Sequence, residues 1–240
     1  MNVKRYKNEN PYSYTLGATL TIEALKKRPE LVKRIFIHSK LNSLEIENII
    51  KTEAGKHKIP LEYNDKPFHI LSEKENCYVI GEFRKFDCEL DKNAKHIVLV
   101  SPSNFGNLGT IIRTAVGFNM KNLALIRPAV DIFNPQTVRA SMGALFNINF
   151  RYFNSFEEYL AYAGKRDCFP FMLQGKKSLA EMKFPKICSL IFGNEATGLP
   201  ESFLGIGEPI IIRHSSEIDS LNLPVAVSIA LYEASKDKFH

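Results

Sequence analysis

The 240-residue sequence predicts an α/β protein in two parts, and three observations carry that reading. Short apolar runs alternate with stretches of helical period along the whole chain, the pattern of sheets covered by helices. The runs Ile97-Val98-Leu99-Val100, Leu123 to Ile126 and Ser189 to Phe192 suit strands of a parallel sheet covered on both faces. Between the parts lies a polar stretch of mixed charge without periodicity. The expected division is 1–84, a linker at 85–96, and 97–240.

In the first part, residues 17–28 (GATLTIEALKKR) place Leu20, Ala24 and Leu25 on one face with basic residues at the end, an amphipathic helix with cations near its C-terminus. Residues 34–38 (RIFIH) read as a strand. Leu44, Ile46, Ile49 and Ile50 give 44–54 a helical period with Gly55 as its stop, and 59–63 is a further extended piece. Residues 77–83 (CYVIGEF) close this layer as its last strand.

In the second part, strand 97–100 leads through a loop at 101–109 (SPSNFGNLG) to a helix at 110–116 stopped by Gly117. Strands at 123–126, 147–152, 170–173 and 189–192 follow, with helical stretches at 135–144 and 156–163. A last strand, 209–212, runs through a polar loop to Ser220-Leu221-Asn222. Pro224 then sits in the first turn of a helix, where its missing N–H is harmless. That helix is apolar nearly all round to Glu233, which marks either core or a subunit interface.

Hydrophobic residues at 45% and charged ones at 24% fit a globular chain and exclude a disordered or collagen-like one. The net charge of +6 favours a polyanionic partner. Residues 1–90 carry 16 Lys+Arg against 13 Asp+Glu and residues 91–240 carry the same counts, so the charge singles out neither part. No run approaches the ~18 apolar residues of a membrane span, and the first residues lack a signal peptide's apolar core, so a cytoplasmic protein is expected. Cys77, Cys88, Cys168 and Cys188 show no C-x-x-C spacing and no His at ligand spacing; reduced, mostly buried thiols and no metal site are expected.

Three loops carry the candidate chemistry. Gly193-Asn194-Glu195-Ala196-Thr197-Gly198 follows a strand directly, so its bare backbone can approach a ligand closely. Gly106-Asn107-Leu108-Gly109 looks like part of an anion-binding turn. The chain has no G-x-G-x-x-G and no G-x-x-x-x-G-K-[ST], which makes a nucleotide-cofactor enzyme the weakest reading. Arg113 interrupts an apolar helix: it reads as snorkelling to solvent, as paired structurally with an acid such as Glu195 if buried, or as functional. Glu195 reads equally as an acceptor for loop amides, and Ser220 or Asn222 as the cap of the last helix.

Taken jointly, Asn107-Leu108-Gly109-Thr110-Ile111-Ile112-Arg113-Thr114-Ala115, Ile191 to Leu199, and Ser220-Leu221-Asn222 before an apolar helix resemble the three ordered motifs of the SpoU (TrmH-type) RNA 2′-O-methyltransferases. Arg139 to Ala144 is similar to another recurrent segment of that family, and the likeness covers 97–235. The first part resembles the ribosomal-protein-L30-like RNA-binding domain that many members carry. The resemblance implies a SPOUT fold: a parallel sheet whose C-terminal segment is threaded into a trefoil knot, with an S-adenosylmethionine pocket at a homodimer interface. It implies backbone contacts to the cofactor from Gly193, Ile212 and Leu221, and a catalytic surround of Asn107, Arg113, Glu195, Ser220 and Asn222. The implied substrate is a structured RNA, ribosomal or transfer, methylated at a ribose 2′-hydroxyl.

A guanidinium keeps its proton at neutral pH, so Arg113 is read as orienting the target phosphate and hydroxyl. Asn107 and Ser220 would fix the ribose, Asn222 the loop, and Glu195 the Arg or the amides. The family's third motif has Ile-Pro-Met and then a Gly two residues on, whereas this chain has Ile212-Arg213-His214 and then Ser216. His214 is read as a solvated loop residue in preference to a base. The altered loop keeps a second reading open, a non-catalytic RNA-binding module that retains the SPOUT fold.

Overall fold

The computed structural model describes residues 3–72 and 76–238, so Met1 and Asn2, read above for a signal peptide, lie outside it. In chain order it has β1 (Tyr12–Leu16), α1 (Ala18–Lys27), β2 (Val32–Ile37), α2 (Leu44–Lys56), β3 (Leu61–Tyr63), α3 (Lys66–Leu71) and β4 (Val79–Arg84). Next come β5 (His96–Val100), α4 (Phe105–Gly117), β6 (Asn122–Ile126), α5 (Pro135–Ala140) and β7 (Asn149–Phe153). The chain continues with α6 (Phe156–Ala163), β8 (Asp167–Pro170), β9 (Lys177–Ser178), β10 (Cys188–Phe192), β11 (Ile210–Ile211) and α7 (Leu223–Ser235).

Two compact units result. One contains the chain up to Phe86 together with Asp131–Asn147, the other Asp87–Val130 and the chain from Ile148 on. The division expected from the sequence assigns Asp131–Asn147 to the second part, whereas the segment packs within the first. Ser13 Oγ donates to the Phe133 carbonyl, Tyr6 OH and Lys85 Nζ reach Asp131, and Phe133 and Phe146 flank buried Phe83 with ring centroids 6.3 and 5.1 Å away. Gly143 in this segment has φ +88°, and a Cβ there would lie 2.7 Å from the Glu23 Cβ, so both the turn and the close approach call for glycine.

The first unit is built on a four-stranded sheet of order β1-β4-β2-β3, in which only β2 and β3 run parallel. Tyr14, Phe36, Phe68, Cys77 and Ile80 form a buried cluster against it. Glu82, almost fully buried in β4, accepts from Lys33 Nζ at 2.8 Å and Arg34 Nη2 at 2.8 Å, which offsets the cost of desolvating the carboxylate. Gly81 leaves room for Thr15 and Thr21, whose hydroxyls meet at 2.7 Å; a Cβ there would come within 2.6 Å of Thr15 Oγ1.

The second unit holds the expected parallel sheet, of order β7-β6-β5-β10-β8. Its strands pack on Phe156, Tyr159, Leu199 and Phe203 through Val98, Ala124, Phe153 and Ile191. A separate parallel pair joins β11 to β9. Because β10 lies between β5 and β8, the chain leaves β5 toward β6 on one side while a much later strand occupies the other.

Several boundaries differ from the sequence reading. The Gly106 to Gly109 stretch is the first turn of α4 and not a loop: Asn104 Oδ1 caps it by accepting from Asn107 N at 2.9 Å, which outweighs the poor helix propensity of glycine. Helix α2 runs through Gly55 to Lys56 and is capped by His57, whose N–H bonds back to the Ala54 and Gly55 carbonyls. The strand expected at 170–173 is β8, three residues earlier. Among the described residues no helix is long and apolar enough to cross a membrane.

Candidate active site

A cavity of about 360 Å³ opens beyond the C-terminal ends of β8 and β10. In open α/β sheets this is where ligands bind, next to the strand pair at which the chain reverses its direction of progression. Its apolar wall includes Phe171 and Phe192, stacked with centroids 4.5 Å apart and rings 13° from parallel, together with Leu199, Ile212, Leu221 and Leu223. Polar groups come from Gln174, Asn194, Glu195, Thr197, His214, Asp219 and Ser220, and among the described residues no Lys or Arg lines it.

Residues of the second and third motifs line the cavity, whereas Asn107, Arg113 and Asn222 are not in its lining. Gly193, Ile212 and Leu221, which the resemblance assigns to the cofactor, line the cavity, as do Glu195 and Ser220. Asn222 is the N-cap of α7 by position but makes no side-chain cap bond, and Ser220 is exposed two residues before it; neither side chain is used as a helix cap.

Gly193 is required by its own loop. A Cβ would lie 2.0 Å from the Gly198 carbonyl carbon, because Asn194 and Gly198 pair through N–H···O bonds of 3.2 and 2.9 Å. Gly198 turns the loop at φ +67°. Asn194 locks it further: its Nδ2 donates to the Ser101 carbonyl at 2.7 Å, and its Oδ1 accepts from Ala196 N at 2.8 Å.

Glu195 leaves this loop toward the start of α4. Its Oε2 accepts from Ser103 N at 3.0 Å and Ser103 Oγ at 2.8 Å, and its Oε1 from Asn104 N and the Asn107 side chain, both at 3.2 Å. Four bonds fill the four lone-pair sites of a carboxylate. Burial works to raise its pKa, but donation from the Ser103 N–H and the other groups outweighs this and holds the carboxyl below its ordinary range. Glu195 is therefore the acceptor for loop amides, tying the α4 N-terminus to the loop after β10 and supporting Asn107 directly.

Arg113 departs from the paired alternative and takes the solvent-facing one. It lies on the exposed face of α4 and makes no hydrogen bond or ion pair among the described residues, so the structural pairing with Glu195 is not formed. His214 departs in the other direction. It is half-buried, lines the cavity, and its Nδ1 lies 2.9 Å from the Ile212 carbonyl. A carbonyl only accepts, so Nδ1 carries a proton and donates it to this bond. The bond closes the 212–214 turn without the family's proline.

Sequence reasoning missed Ser103 and Asn104, the Phe171–Phe192 stack, Asn194 and Asp219. Asn104 did carry a signal, an N-cap residue three positions before Asn107. Among the described residues no group of three or more His, Cys, Asp or Glu is placed to hold a metal ion.

Comparison with known proteins agrees with this architecture. Residues 94–232 match the model of the SpoU rRNA Methylase family. The 23S rRNA (guanosine(2553)-2′-O)-methyltransferase RlmP of Bacillus subtilis is 26% identical over 220 residues, 90% of this chain and 85% of that one. An uncharacterised tRNA/rRNA methyltransferase of Synechocystis sp. is 28% identical over 146 residues, 60% of this chain and 53% of that one. The crystal structure of an AdoMet-bound rRNA methyltransferase from Sinorhizobium meliloti superposes with a TM-score of 0.80 at 26% identity, covering 97% of this chain and 90% of that one. The chain spans about half the length of that Synechocystis relative and of a 23S rRNA (uridine(2479)-2′-O)-methyltransferase of Streptomyces viridochromogenes. With a family model matched over more than half its length, the chain belongs to the SpoU rRNA methylase family.

Proposed function

We propose that the protein is an S-adenosylmethionine-dependent methyltransferase that modifies a ribose 2′-hydroxyl of a structured ribosomal or transfer RNA in the cytoplasm. The observation that carries this reading is the charge of the cavity: two carboxylates, stacked aromatics, backbone edges and, among the described residues, no Lys or Arg. Such a lining suits an uncharged adenine and a cationic sulfonium. It opposes the phosphates of NAD or ATP, which need cationic or helix-terminal donors.

Gly193, Ile212 and Leu221 would hold the cofactor through their backbone, between the Phe171–Phe192 wall and α7. When bound, the cofactor supplies an electrophilic methyl group. The chain's own contribution is to bring a ribose hydroxyl in line and assist loss of its proton. Asn107, held by Glu195, and Ser220 would fix the ribose, Asn222 the approach to α7, and the exposed, unpaired Arg113 the target phosphate and hydroxyl. The closed 212–214 turn speaks for a formed pocket and against the non-catalytic reading.

Three further features belong to the same proposal. The insertion of β10 between β5 and β8, with the chain returning to the cavity afterwards, supports a C-terminal segment threaded as a trefoil knot of the SPOUT type. The first unit, with its mixed four-stranded sheet, would be the L30-like RNA-binding domain. A homodimer would form on α7, where Val225, Ile229 and Tyr232 leave an apolar stripe 47%, 39% and 58% exposed, opposite buried Val227, Ala230 and Leu231. Titration with S-adenosylmethionine, NAD and ATP tests the core of the proposal: binding of the first alone is expected, and binding of either other ligand in its place overturns it.

A further inference from the structure

The two carboxylates on the cavity differ in one respect. Both oxygens of Glu195 are filled by the four donors of Ser103, Asn104 and Asn107, so no lone pair is left for a ligand. Asp219, in the loop between β11 and α7, has no hydrogen bond or ion pair among the described residues. Among the described residues no Lys or Arg shares the lining, and the one imidazole there, His214, bonds to the Ile212 carbonyl and makes no ion pair with Asp219. An uncompensated carboxylate on the wall of a small, largely apolar cavity attracts a cation and repels an anion.

We propose that Asp219 is the residue that recognises the positive charge of the cofactor, either its sulfonium or its α-ammonium group. This rests on the reading of the cavity as an S-adenosylmethionine site. The two sources of charge have different consequences. A carboxylate set against the sulfonium favours the methyl donor over the product, whose sulfur is a neutral thioether, and so helps the spent cofactor leave. Set against the ammonium, it serves donor and product alike.

Calorimetric titration of the parent, Asp219→Asn and Asp219→Glu with S-adenosylmethionine, S-adenosylhomocysteine and 5′-methylthioadenosine tests the proposal. Asparagine is nearly isosteric and Asp219 is exposed, so the variant should melt with the parent. The expected result is a roughly three- to fivefold weaker Kd for S-adenosylmethionine, the scale of a partly solvated ion pair. Affinity for methylthioadenosine, which carries neither charge, should be unchanged, and Asp219→Glu should recover much of the loss. S-adenosylhomocysteine weakened in parallel assigns the pairing to the ammonium; S-adenosylhomocysteine unaffected assigns it to the sulfonium. Equal weakening of all three ligands marks a loop-shaping residue and overturns the proposal, as does an unchanged affinity for S-adenosylmethionine. A parent that binds none of the three removes the cofactor reading and this proposal together, an outcome distinct from a parent that binds the donor and a variant that binds it equally well.

Discussion

The Glu195 carboxylate accepts the Asn107 side-chain amide at 3.2 Å, joining the loop after β10 to the first turn of α4 across 88 residues of chain. The same carboxylate takes three further donors from Ser103 and Asn104, so one acid holds two of the three motif loops in register.

Glu195→Gln places an amide donor among those four donors and leaves at least one of them unpaired. A loss of about 1–3 kcal/mol of stability is expected, with cofactor affinity falling as the loop loosens. The folded carboxyl titrates below its ordinary value of 4.5, so its contribution is present above that value and lost as pH falls through the folded pKa. Thermal melts of parent and variant should therefore converge below pH 4.5; a gap independent of pH contradicts the assignment.

Arg113 is exposed and unpaired, so Arg113→Ala should melt within a degree or so of the parent and bind cofactor normally. If Arg113 orients the target, single-turnover methylation should fall on the order of a hundredfold. Lys should rescue little, because a point charge does not reproduce a planar fork. A folded Arg113→Ala that methylates at the parent rate contradicts the role.

Much of this architecture is legible in the sequence because continuous apolar runs such as 97–100 and 189–192 leave few alternatives to buried parallel strands. Strand β1 is not, since Ser13 and Thr15 are buried there through hydrogen bonds, which disguises the pattern. The helical state of Gly106 to Gly109 depends on Asn104 and on Glu195, far along the chain, so local propensity misjudges it. Arg113 stays ambiguous in the sequence for the converse reason: its apolar neighbours Ile111 and Ile112 are buried, while Gly106, Thr110 and Gly117 put it on the open face. The folding of Asp131–Asn147 into the first unit, and the position of Asp219 on the cavity, are set by tertiary contacts with no local signature.

Away from the cavity, His96 is fully buried at the start of β5, with Nδ1 3.0 Å from the Tyr159 hydroxyl. Burial, and then the nearby Arg166 guanidinium, push its pKa from 6.5 down to about 4. The unfolded chain binds the proton more readily across that window, so stability should fall by up to about 3 kcal/mol as pH drops from 6.5 to 4. Denaturant titrations at several pH values should show that slope in the parent and a flatter one in His96→Gln; equal slopes contradict it.

The stripe of Val225, Ile229 and Tyr232 on α7 should bury itself against a second copy. Sedimentation at micromolar concentration is expected to give a dimer that Ile229→Lys dissociates. A monomeric parent contradicts the interface.

The central claim is methyl transfer to a ribose hydroxyl, and it is tested most directly by incubating the purified protein with methyl-labelled S-adenosylmethionine and RNA from cells lacking the protein. The label should appear at a single site in nucleotides that resist alkaline hydrolysis, since a methylated 2′-oxygen no longer attacks its neighbouring phosphate. Label confined to bases, or a protein that binds the cofactor yet leaves every RNA unlabelled, would contradict the account.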